Sequence, residues 1–130
     1  MCIVSKDTVT DSDEEIRLET LSSSHFIMHE ESYDADARRI MDKLNLIVRT
    51  TCHVSDDKTT VEMVKAGFGF AIMLRLTMYG LEKEVKMLKI LPEERSLICV
   101  TVRDEEDLSP AVKKAFEFIR EYDYGKYTPL

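Results

Sequence analysis

The stretch Phe68–Leu74, FGFAIML, contains no polar side chain. Successive side chains of a strand point to opposite faces. A strand built from this segment must therefore be covered on both faces, as in parallel sheets flanked by helices. What precedes it supports that reading. In VSDDKTTVEMVKAG, Thr60, Val61 and Val64 recur at helical spacing. Ser55 is the expected N-cap, with Asp56 and Asp57 in the first turn, where the helix dipole favours negative charge. Gly67 is the expected end of this helix, because glycine adopts the left-handed conformation without steric cost. Gly69 lets the following strand pass close to its neighbours. Both glycines therefore have structural roles.

The same alternation runs along the chain. MCIV, Phe26–Met28, LIVRTTCHV, EVKMLKIL and SLICVTV read as strands, EVKMLKIL as one near an edge. IRLETL reads as a turn or short helix. Ala37, Ile40, Met41 and Leu44 form a helical stripe, with Asp34 or Asp36 as its cap. A short helix is expected around Thr77–Glu84. Ser109-Pro110 marks a helix start, with Ser as cap and Pro in the first turn. Val112, Ala115, Phe116 and Ile119 form its stripe, and 123–130 is a tail. The expected fold is α/β: a mostly parallel sheet flanked by helices, in a single domain over residues 1–130.

Composition narrows the function. The net charge of -7 argues against direct nucleic-acid contact, whose affinity comes largely from Lys and Arg displacing counterions. No apolar run approaches the ~20 residues of a membrane span. MCIVSKDTVTD is too short and too soon acidic for a signal peptide. Cys2, Cys52 and Cys99 sit in strand-like runs and cannot pair completely. Buried free thiols in a reducing cytoplasm are expected.

Ligands of open α/β sheets bind beyond the carboxyl ends of strands, beside helix N-termini. Two loops qualify: His29–Asp36 and Val54–Thr60. Both offer hydroxyls and backbone N–H groups to a small polar ligand, while their carboxylates disfavour a strongly anionic one.

The ordered segments resemble the effector-binding domain of LysR-type transcriptional regulators over about Cys2–Tyr122. HVSDDKTTVEMVKAGFGFAIMLRL resembles that family's strand, Ser/Thr loop and glycine-containing helix–strand unit. IRLETLSSSHFIMHEESYDADARRIMDKLNL and the closing LSPAVKKAFEFIREY also match its pattern. Leu74 stands where the family commonly has Pro. The resemblance implies a periplasmic-binding-protein type II-like subdomain and a small-molecule effector. It also implies that these 130 residues lack the winged helix-turn-helix, the linker helix and most of the first subdomain. Ser32, Tyr33, Asp56 and Thr59 are the expected effector contacts. Each has a competing structural role: Ser32 and Thr59 at helix starts, Tyr33 over the core edge. Contact with DNA is expected only through the absent helix-turn-helix.

Sharper chemistries fit poorly. His25 and His29 share a strand face, but two ligands do not close a zinc site. No G-x-S-x-G nucleophile elbow is present. Gly67-Phe68-Gly69 ends a helix and precedes a strand, the reverse of a dinucleotide fingerprint. No catalytic residue, metal or cofactor is assigned. A stand-alone solute-binding domain of the same fold is the alternative. The apolar stripe near the C-terminus is expected to find a partner, making the chain a homo-oligomer.

Overall fold

The computed structural model describes residues 1–29, 35–96, 98–102 and 108–125. Two compact units are resolved, Met1–Ser96 and Leu97–Leu130.

Unit 1 contains six strands among the described residues: β1 (Cys2–Val4), β2 (Glu15–Arg17), β3 (His25–His29), β4 (Arg49–Val54), β5 (Ala71–Ile72) and β6 (Lys86–Leu91). Helices α1 (Ala35–Lys43) and α2 (Asp57–Lys65) follow β3 and β4. One sheet has the order β2-β6-β1-β5, and β3 pairs with β4 in parallel. A parallel bridge between Phe26 and Phe70 joins the two. β2 and β6 are parallel, while β1 runs antiparallel to both of its neighbours. Reciprocal 2.9 Å bonds between the Met1 and Met73 backbones extend the β1–β5 ladder.

Side-chain alternation sorts the core into two layers. Cys2, Phe26, Phe70, Ile72 and Leu88 face α1 with Ala37, Ile40 and Met41. Ile3, Ile27, Ala71 and Met73 face α2 with Val61 and Val64. Phe70–Met73 is thus covered on both sides, as the sequence requires, while Phe68 at the head of the apolar segment is exposed. Phe70 and Ile72 are buried. Burial also pushes the Cys2 thiol up to about 12, so it stays neutral.

Both helices of unit 1 end in the same hydrogen-bond pattern. At α2, Gly67 (φ +78°) donates to Val64 O, and Phe68 donates to Met63 O, each near 3.0 Å. At α1, Asn45 (φ 49°) takes the glycine's place: it donates to Asp42 O, and Leu46 donates to Met41 O. These are Schellman motifs, which satisfy the last carbonyls of a helix.

Several sequence expectations are corrected. The N-cap of α2 is Asp56, not Ser55: its backbone is extended and its carboxylate is turned onto the Thr59 N–H. Asp36 lies in the first turn of α1, and Asp34 lies outside the described residues. The expected place of β6 near an edge is met: it lies between β2 and β1, one strand in. Leu76–Met78 is a single 3-10 turn, not a helix reaching Glu84. The expected strand SLICVTV has no regular structure among its described residues. A strand persists only when a neighbour satisfies its backbone groups. Of the cysteines, only Cys2 is buried: Cys52 is half-buried and Cys99 exposed.

In unit 2, α3 (Pro110–Glu121) starts as expected, with Ser109 Oγ accepting from the Val112 N–H at 3.4 Å. The Tyr124 hydroxyl donates to Ile119 O at 2.8 Å, and Tyr122 bridges the Phe118 and Tyr124 rings.

Candidate functional site

Strands β3, β4 and β5 run in one direction, so their carboxyl ends share one rim of unit 1. At this rim the chain leaves β4, turns at Asp56 and enters α2. The Asp56 carboxylate accepts from the Thr59 N–H at 2.8 Å and from the Thr59 hydroxyl at 2.6 Å. Its backbone carbonyl accepts from the Thr60 hydroxyl at 3.0 Å. Thr60 is wholly buried, which anchors this first turn in the core. A cap of this kind contributes about 1 kcal/mol.

The second wall comes from the chain after β5. The Leu74 carbonyl accepts both the N–H and the hydroxyl of Thr77, at 3.2 and 3.0 Å. The turn therefore forms with leucine at position 74. Met78 is fully buried and pins the turn, while Tyr79 beside it is 68% exposed. Gly80 has φ +83°, a conformation that glycine takes without strain.

Between these walls lies an open cleft of about 460 Å³, lined by Asp56, Asp57, Lys58, Thr77, Tyr79, Gly80 and Leu81. The α2 N-terminus supplies charge of both signs, and Tyr79 an aromatic surface. Such a cleft suits a small polar molecule with a flat or apolar portion.

Of the expected contacts, Asp56 and Thr59 are brought together, chiefly onto each other. Asp56 lines the cleft, and the Thr59 hydroxyl proton is committed to the cap. Ser32 and Tyr33 lie outside the described residues. Sequence reasoning missed Thr77 and Tyr79. The rule that selected the loops after β3 and β4 also selects the one after β5. The short helix expected around Thr77–Glu84 hides that loop in the sequence, whereas only Leu76–Met78 forms a 3-10 turn. Among the described residues no cluster of three or more His, Cys, Asp or Glu side chains is arranged to hold a metal.

A mostly parallel sheet between helices, with one antiparallel strand and a cleft at the strand rim, defines a type II periplasmic-binding-protein-like domain. The LysR substrate-binding domain model matches residues 1–123, and the chain belongs to that family. Two solved structures share the fold. One is the effector-binding domain of QuiR in complex with shikimate: 21% identity, TM-score 0.71, covering 99% of this chain and 62% of that one. The other is the CcmR regulatory domain of Synechocystis PCC6803 in complex with 2-PG: 18% identity, TM-score 0.62, covering 71% of this chain and 46% of that one. The chain thus spans less than two-thirds of the length of either. No curated protein matches it. Among the described residues no helix is long and apolar enough to cross a membrane.

Proposed function

We propose that this chain is the effector-sensing part of a LysR-type transcriptional regulator, binding a small molecule at the carboxyl rim of β3, β4 and β5. The observation that carries this reading is the cleft between the α2 N-terminus and the Thr77–Leu81 turn, in a chain of this family. Asp56 shapes the first wall and Thr59 holds Asp56 in place. Ser32 and Tyr33, on the segment between β3 and α1, complete the proposed set. The ligands of QuiR and CcmR make small hydroxylated or acidic molecules the first probes. Ligand binding would bias a conformational equilibrium that an attached DNA-binding domain reads. This chain, at net charge -7, makes no direct nucleic-acid contact in this reading. It is a cytoplasmic binding module and carries no catalysis.

Thermal shift with shikimate, 2-PG and a panel of small carboxylates and amino acids tests the proposal. A ligand that binds only the folded state adds about 2.7 kcal/mol of stability at a hundred times its Kd. A saturable rise in Tm is expected, and Tyr79→Ala should abolish it without lowering the ligand-free Tm. A panel that never moves Tm, or a shift untouched by Tyr79→Ala, rejects the site.

The proposed active form is a homo-oligomer. Helix α3 buries none of its residues, and Val112 and Phe118 are 45% and 65% exposed. Sedimentation at low micromolar concentration is expected to show self-association that Phe118→Ser weakens. A monomer at every concentration contradicts it.

A further inference from the structure

One face of α1 carries Asp36, Arg39 and Lys43, and the last residues of unit 1 run along it in the opposite direction. The Lys43 ammonium is bonded to Glu94 Oε1, and Arg39 Nη1 lies 3.5 Å from Glu94 Oε2. Arg39 Nη2 is also 3.6 Å from Asp36 Oδ1, so the guanidinium spans both carboxylates. At the other end the Ser96 hydroxyl donates to Asp36 Oδ2 at 2.5 Å. The side chain of Glu94 is only 6% exposed, whereas those of Arg39 and Lys43 are 49% and 57% exposed. The bond to Lys43 holds the Glu94 carboxyl below its usual range.

These groups occupy a particular place in the chain. Asp36 follows directly on the segment that holds Ser32 and Tyr33. Ser96 is the final residue of unit 1, and the chain beyond it forms unit 2. We propose that Glu94 and Ser96, clamped by Lys43, Arg39 and Asp36, form a polar latch that fixes the segment leaving unit 1 to α1. A displacement of α1 is thereby transmitted to the exit segment, and loss of the clamp frees it. The contacts that form the latch all lie within unit 1; only its regulatory use rests on the effector reading.

Trypsin cleavage after the exposed Arg95 reads the latch, because a protease needs the segment drawn away from α1. The helix-side variants leave the cleaved sequence unchanged. Lys43→Met is expected to speed cleavage at Arg95 about two- to fivefold, the range for losing a partly exposed ion pair, with other sites in unit 1 cut at wild-type rates. Lys43→Arg should restore protection. Salt at 0.5 M should accelerate wild-type cleavage, through screening of the partly exposed pair, but not that of Lys43→Met. An unchanged rate in Lys43→Met, equal acceleration in Lys43→Arg, or acceleration at all sites alike overturns the latch. The assay contains no effector, so its failure is distinct from failure of the effector proposal.

Discussion

Gly69→Ala is expected to destabilise unit 1 by about 3 kcal/mol or more, or to prevent folding, by the combined cost of overpacking and backbone strain. A Cβ at this position would stand 2.2 Å from the carbonyl oxygen of His25 and 2.8 Å from its carbon. Both are backbone atoms at the start of β3, so no side-chain rotation relieves the overlap. The clash also falls where the two sheets meet. The Phe70 N–H donates to that same His25 oxygen at 2.9 Å, and the Ile27 N–H donates to Phe70 O at 2.9 Å. Pushing the strands apart breaks both bonds and the Phe26–Phe70 bridge. Gly67→Ala provides the comparison. Gly67 has φ +78° but nothing within 4 Å of an added Cβ, so only the left-handed penalty applies, about 1–2 kcal/mol. Urea denaturation of the two variants should show the larger loss at Gly69. Equal losses would mean that conformation, not close approach, fixes the glycine.

The two glycines also show how far the sequence could be read. FGFAIML requires two covering layers, and the alternation of Phe70 and Ile72 against Ala71 and Met73 delivers them. The requirement is local, so the sequence carries it. The α2 cap was less legible: Ser55, Asp56 and Asp57 can all cap a helix, and only the backbone path selects Asp56. β6 reads as near an edge because Lys86 and Lys89 interrupt it, and it lies one strand in. Its interior place depends on β2, a strand of three residues whose burial alternates around Ile16 alone. SLICVTV shows the opposite failure. Its β-branched residues favour extension, but pairing is a property of neighbours that composition does not reveal. Of the candidate site, the wall at Asp56 was legible from turn chemistry. The wall at Thr77–Leu81 was not, because Met78, which pins it, looks in sequence like any other core residue. The latch joins residues more than fifty positions apart, and nothing in the spacing of Asp36, Arg39 and Lys43 points to Glu94.

Phe26→Ala is expected to cost about 3–5 kcal/mol, the range for emptying a buried aromatic site. The ring is fully buried on the α1 side, 5.1 Å from that of Phe70 and tilted 55° to it. Its neighbours cannot easily collapse into the space. The Phe70 backbone is bonded to β3 on both sides of Phe26, so the two strands stay in register around the void. Phe70→Ala should cost a similar amount. In the double variant the losses should be less than additive by about 0.5–1.5 kcal/mol, the worth of an aromatic pair beyond its buried area. Chemical denaturation of the four proteins measures this coupling, and strict additivity would show that the rings act only as independent bulk. Against a total stability of about 5–15 kcal/mol for a domain of this kind, either single change leaves a small margin. Tyr79→Ala sits at the other extreme. That side chain is largely in solvent, so its loss should leave the denaturation midpoint in place and change only the response to effector. Destabilisation by Tyr79→Ala comparable to that of Phe26→Ala would make the turn after β5 part of the core, and the cleft it walls a by-product of packing.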